Sequence, residues 1–315
     1  MFGRMFGKQM WRVCATSAAA LIISAFAATA PAAVLVQDGF GDGDHDNNGL
    51  DTGAAVTDPL DAGIPWYLTD GTSAVTFRAI DDSAGIGTGN ALQLFNTASN
   101  NRPAVGHFTP IMLNDGESLI LRLDMRLLSS KNTTGTDITT DRAIRFGIYR
   151  DVNGDDGVGD HGSTGSLSVD DNGYNVRLDS GNDTSNTTSM DVTRDLDAAN
   201  TAIIQATATS IGVSSTNSIN QMLIDGVGHH FELTLTRSGA NMLVSLQKDS
   251  NGVITGTDTA PPGFTFDEIA LGVRSNAAMD LRIDNIQLEH VVPEPASATL
   301  LALGAAAVIT RRKRR

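Results

Sequence analysis

A single cysteine, Cys14, occurs in the chain, and it lies ahead of the first long apolar run. Once that leading segment is removed, no thiol remains. Disulfide staples and thiol chemistry are thereby excluded, and the fold must rest on its core. Aromatic residues are also scarce, at 5%, and the only candidates for stacking platforms in the body are Trp66, Tyr67, Tyr149 and Tyr174. No long segment with a 3.6-residue apolar period occurs away from the two ends, which excludes a helical bundle or a coiled coil. Positive charge is in deficit, with 22 Lys and Arg against 36 Asp and Glu. The body carries no basic patch, which excludes nucleic acid as a partner.

The ends differ from the body. Arg4, Lys8 and Arg12 precede an uncharged run over 15–28, and Ala30-Pro31-Ala32 follows. Positive residues, a short apolar stretch and small residues, in that order, predict a secretory leader over 1–32, cut by signal peptidase after Ala32 or Ala33. At the other end Val292-Pro293-Glu294-Pro295 precedes an uncharged stretch over 296–310, and then Arg311, Arg312, Lys313, Arg314 and Arg315. Positive clusters stay on the cytoplasmic side of a membrane. The stretch of 15 residues spans about 22 Å as a helix, short of the roughly 30 Å hydrocarbon core, which suits a transient tether. This arrangement resembles the PEP-CTERM sorting signal, over 291–315. The resemblance implies recognition and cleavage near Pro293–Pro295 by an exosortase-type membrane protease. It also implies a Gram-negative-type bacterium that makes extracellular polysaccharide, with the product at the cell surface or in the extracellular matrix.

The body, 33–290, is strongly acidic. Removing the three basic residues of the leader and the five of the tail leaves 14, and removing Glu294 leaves 35 acids, a net charge of −21. Only four of those acids are glutamates: Glu117, Glu232, Glu268 and Glu289. Aspartate favours turns, where it bonds its own backbone, and a dense run of it on an exported protein invites calcium. Asp44, Asp46 and Asn48, with Gly49 following and Asp42 and Asp51 alongside, have the oxygen spacing of a calcium loop. The bidentate glutamate of an EF-hand is missing, since Ala55 holds its place. A second set, Asp151, Asn153 and Asp155, resembles the opening of a dockerin calcium loop, but Asp156 stands where that loop expects glycine. Each set is read first as a solvated acidic or hairpin loop, with calcium as the alternative. If either binds calcium, millimolar calcium raises the melting temperature.

Elsewhere the pattern has period two. Leu119, Leu121, Leu123, Met125 and Leu127 alternate with polar residues, interrupted by Ile120. Ile144, Phe146 and Ile148 alternate likewise, as do Phe231, Leu233 and Leu235. Over 279–288 the alternation slips phase before Ile286, which predicts a bulge. Shorter strands are expected at 75–80, 91–96, 105–109, 174–179, 202–207, 242–248 and 269–274, with turns at Asn172-Gly173 and Asn251-Gly252. Loops are expected over 129–141 and 180–200. About ten half-buried strands predict an all-β, two-sheet antiparallel jelly-roll sandwich. An N-terminal leader helix and a short C-terminal hydrophobic helix flank it. The order of Arg145-Phe146-Gly147-Ile148-Tyr149, Gly173-Tyr174-Asn175-Val176-Arg177-Leu178 and Ile283-Asp284-Asn285-Ile286 resembles the concanavalin A-like or laminin-G-like sandwich.

Chemistry is thinly signalled. No body glutamate has an aspartate two residues later, so the Glu-x-Asp-x-x-Glu arrangement of the laminarinase-like glucanases is missing, and so is a Gly-x-Ser-x-Gly elbow. The six histidines lack metal-type spacing, and adjacent His229 and His230 would face opposite sides of a strand. The repeated Arg-x-Asp pairs, Arg122/Asp124, Arg177/Asp179 and Arg282/Asp284, predict cross-strand ion pairs on a wet sheet face. The expectation is a non-enzymatic exported protein in contact with exopolysaccharide, with a calcium-dependent lectin-like module as the alternative and a divergent glycosidase behind it.

Overall fold

Alternation of apolar and polar residues produces fifteen strands in the described part of the chain. A computed structural model describes residues 32–41, 64–68, 75–83, 85–86, 89–96, 100–132, 144–152, 171–180, 190–196, 209–215, 224–275 and 277–293. In chain order the strands are β1 (Ala33–Asp38), β2 (Trp66–Leu68), β3 (Val75–Asp81), β4 (Asn90–Asn96), β5 (Asn100–Met112), β6 (Ser118–Asn132), β7 (Ile144–Arg150) and β8 (Asn172–Leu178). They continue as β9 (Met190–Leu196), β10 (Thr209–Ser215), β11 (His229–Ser238), β12 (Asn241–Lys248), β13 (Ile254–Asp258), β14 (Thr265–Ser275) and β15 (Ala277–Val291). The first sheet has the order β13-β12-β11-β6-β15-β4-β3, with β1 also paired to β15, and the second has β10-β9-β8-β7-β14-β5-β2. Pairing is antiparallel in both. The expected all-β, two-sheet sandwich is therefore observed.

The core lies between the sheets. Leu119, Leu121, Leu123, Met125 and Leu127 of β6 are fully buried beside Phe231, Leu233 and Leu235 of β11. Phe146 of the second sheet meets Phe231 of the first edge-to-face, with centroids 5.8 Å apart. Each such side chain contributes about 1.5–3 kcal/mol by leaving water. With no disulfide in the body, this layer holds Ala33–His290 as one unit.

The phase slip in β15 is real. Asn285 adopts φ +52, its N–H donates to Asp284 Oδ1 at 2.7 Å, and Ile286 and Leu288 turn back into the core. The turn expected at Asn251-Gly252 is centred earlier, on Asp249-Ser250, where Asn251 N–H donates to Lys248 O at 3.0 Å and Asp249 adopts φ +51. Other expectations are corrected. Asn172-Gly173 lies inside β8, paired with Arg150 and Tyr149, and makes no turn. The loop expected over 180–200 contains β9, and that expected over 129–141 begins with the end of β6. β1, β2, β10 and β13 are further additions, and the strand expected over 202–207 lies outside the described residues. So do both terminal helices. Among the described residues no helix is long and apolar enough to cross a membrane.

Candidate functional site

The two extremities of the sandwich are hydrogen-bonded to each other. Ala33 pairs with His290, Val34 with Glu289 and Val36 with Leu288, with a register shift between Val34 and Val36. The same end of β15 is held from β6: Arg122 Nη1 donates to Glu289 at 2.6 Å, and His290 Nε2 lies 3.1 Å from Glu117 Oε2. β1 is pinned at its far end, where Asp38 accepts from Trp66 Nε1 at 2.8 Å and from Phe40 N–H at 2.9 Å. β15 stops at Val291, two residues before Pro293. We call this end of the sheet the neck.

Glu117 makes the neck pH-sensitive. Burial pushes its carboxyl up, but the backbone N–H and side-chain amide of Asn114 and the His290 imidazole outweigh that and hold it below the usual glutamate value. A depressed carboxyl stabilises the fold above its unfolded-state pKa, and that contribution is lost as pH falls through the folded value. Stability against urea should therefore decline as pH drops below the ordinary glutamate range. Glu117→Gln should flatten this part of the profile; an unchanged profile would show that the neck does not titrate.

On the outer face of the first sheet the expected cross-strand pairing is made by Arg122. Arg122 donates to Glu232 of β11 at 2.8 Å as well as to Glu289 of β15. The other two arginines correct the wet-face expectation, because both are buried. Arg177 grips Asp191 of β9, its Nε at 2.8 Å, and Arg282 grips Asp280 of its own strand at 2.9 Å. Asp124 serves His230 at 2.7 Å and Asn285 at 2.8 Å instead. Arg126 forms an ion pair with buried Asp82, and Gly85 leaves the room it needs, since a Cβ there would lie 2.1 Å from the Arg126 guanidinium carbon.

The outer face of the second sheet is buried too. Arg145, Tyr149, Asn175, Thr193 and Glu268 all lie out of solvent there. Tyr149 packs with Val105 and Ala270. Among the described residues neither amide atom of Asn175 has a hydrogen-bond partner, although its backbone carbonyl accepts from Thr193 Oγ1 at 3.3 Å. Sequence reasoning missed this polar layer because period two assigns β7 and β8 one wet side. Three of the four aromatic candidates are corrected as well, for Trp66, Tyr149 and Tyr174 are fully buried and have no exposed ring to offer a sugar; the side chain of Tyr67 lies outside the described part.

The candidate ligands Asp44, Asp46, Asn48, Asp51, Asn153 and Asp155 lie outside the described residues. Asp151 is described, and its N–H donates to Asp267 Oδ1 at 2.8 Å. Burial pushes the Asp267 acid up; the Asp151 N–H opposes this and the Asp151 charge adds to it. Burial pushes the nearby His107 imidazole down, against the pull of Asp151 and Asp267. Among the described residues no group of three His, Cys, Asp or Glu is placed to hold a metal ion.

The tail decides the family to which one part of the chain can be assigned. Residues 291–315 match the family described as the PEP-CTERM protein-sorting motif. The chain carries a PEP-CTERM sorting signal. Pro293 is its first proline and the last described residue, while Glu294, Pro295 and the basic cluster lie outside the described part. The signal implies export and processing by exosortase, a membrane protease. No curated protein matches the chain. Among solved structures, basic winged bean lectin with Tn-antigen is similar at 12% identity and TM-score 0.39, over 70% of this chain and 94% of that one. The carbohydrate recognition domain of Emp47p is similar at 14% and 0.40, over 79% and 94%. Peanut lectin gives 13% and 0.39, over 73% and 98%. At these scores the fold of the body that bears the PEP-CTERM signal rests on its own strand order.

Proposed function

We propose that this protein is a non-catalytic β-sandwich exported and sorted by exosortase to the cell surface or extracellular matrix, where it acts as a structural or adhesive component in contact with exopolysaccharide. The observation that carries this reading is a PEP-CTERM signal joined directly to the last strand of a thiol-free sandwich. A body of net charge −21 remains soluble and self-repelling in a crowded polymer layer.

Mass spectrometry of the protein recovered from cells and medium tests it. The expected product begins at Ala33 or Val34 and ends near Pro293–Pro295. Replacing Pro293, Glu294 and Pro295 together by alanine should abolish C-terminal processing and leave the uncut chain in the membrane fraction. Recovery of intact Met1–Arg315 from the cytoplasm of wild-type cells would refute the proposal.

A further inference from the structure

We infer that the outer face of β11–β13, at the edge of the first sheet, is a binding groove for an uncharged stretch of polysaccharide. This deepens the polysaccharide contact proposed above and rests on it.

Charge is withdrawn from this flank of an otherwise acidic body. Residues 198–224, which include β10, contain no charged residue. Within 238–266 the charged residues are Lys248, Asp249 and Asp258. Lys248 and Asp258 are buried, and Asp249, in the turn after β12, is bonded to His229 at 2.9 Å. β10 and β13, which are edge strands of the two sheets, lie against each other. The uncharged segments are thereby brought to one side.

Strand pairing builds the groove. Met242, Val244 and Leu246 of β12 enter the core, which turns Leu243 and Ser245 outward. Leu243 pairs with Thr236 of β11 and with Thr257 of β13, and Ser245 pairs with Thr255 of β13. These five residues line a groove of about 440 Å³, within the size range of small-ligand clefts. Leu243 is 41% exposed there, and Thr236 is held by Ser118 Oγ at 2.8 Å. Flanking charges are bonded elsewhere. Glu232 accepts from Arg122 at 2.8 Å, and Arg237 stacks on the Phe264 ring. Exposed Asp115 accepts from Gly239 N–H at 2.6 Å, at the β11–β12 turn.

The lining fixes the class of ligand. A Ser or Thr hydroxyl both donates and accepts, which matches the hydroxyls of a sugar, while Leu243 and the threonine methyls offer apolar contact to its C–H faces. No side chain in the groove is a cation that could neutralise an anion. The body's charge of −21 repels an acidic polymer, and it repels a second copy of the chain in the same way. An uncharged chain of sugars meets no such penalty. Without an aromatic or charged anchor each contact is weak, and the repeating units of a polymer multiply it.

The test uses the mature protein and the extracellular polysaccharide of the cells that make it, split by anion exchange into uncharged and acidic fractions. In affinity electrophoresis the uncharged fraction should bind equally at low and high salt. Leu243→Asp and Thr257→Asp should each weaken that binding roughly ten-fold or more. In unsubstituted protein, where no variant has to fold, the Leu243 methyl resonances should move when the uncharged fraction is added. Those of Val227 and Val253, exposed outside the groove, should stay. Binding to the acidic fraction alone, binding that both substitutions leave intact, or unmoved Leu243 methyls in protein that binds overturns the inference. Dimers of the unsubstituted protein that Leu243→Asp dissociates assign the groove to a second copy and also overturn it. Binding of neither fraction overturns the polysaccharide contact itself, and this inference with it.

Discussion

Replacing Gly147 by alanine should cost about 3 kcal/mol or more, lowering the melting temperature by roughly 6–12 °C. A Cβ at this position would lie 2.2 Å from the backbone oxygen of Tyr174 and 2.7 Å from Tyr149 Cε2. Gly173 is similar, with Ile148 O at 2.3 Å and Tyr149 Cδ1 at 2.7 Å. The ring of Tyr149 thus lies over two glycines on neighbouring strands. Neither carbonyl can move aside, because both belong to the β7–β8 ladder and its register is fixed on each side. Gly263→Ala supplies the control, since nothing lies within 4 Å of its added carbon, and it should change stability by less than about 0.5 kcal/mol. Urea denaturation of the three variants is the measurement. Equal midpoints for Gly147→Ala and Gly263→Ala would show that the close approach is not a constraint.

Asp258→Ala should be the second severe variant, at about 3–5 kcal/mol. This buried carboxylate accepts from Tyr174 Oη at 2.9 Å, Arg194 Nη1 at 2.7 Å and Ala260 N–H at 3.0 Å. Truncation leaves a guanidinium of the second sheet without its counter-charge. The double variant Asp258→Leu/Arg194→Met should recover much of the loss, because removing both members of a buried pair spares the desolvation of either. If the double variant is no more stable than Asp258→Ala, the charge pair is not the origin of the loss. Burial, reinforced by the Asp258 charge, also pushes the Tyr174 phenol far above the ordinary tyrosine range. In an ultraviolet titration Tyr174 should therefore stay un-ionised until the protein unfolds, and Asp258→Ala should bring its transition down.

Strands with one wet face were legible from sequence. β6, β11 and β15 alternate cleanly, and even the bulge at Asn285 announced itself as a phase slip. β9 was hidden because its alternate residues are Asp191, Thr193 and Asp195, which read as loop; Arg177 from β8 compensates Asp191 there, and one strand cannot reveal a partner on another. β1 was hidden by its place beside the leader, and β13 by its Thr and Gly content. The PEP-CTERM signal was legible because all its parts are contiguous. The neck was not, since its rungs join opposite extremities of the chain, and no local pattern connects Ala33 to His290.

β15 lies inside the first sheet, between β6 on one side and β4 and β1 on the other. Synthesis runs from the N-terminus, so the strand made last fills the middle of the sheet. A nascent chain has to wait, open, for its final segment before that sheet can close, and closure then proceeds through contacts of long sequence separation, which form slowly. Prematurely terminated products lack the keystone and the delivery label together. Such fragments can neither close the first sheet nor carry the signal that implies processing by exosortase.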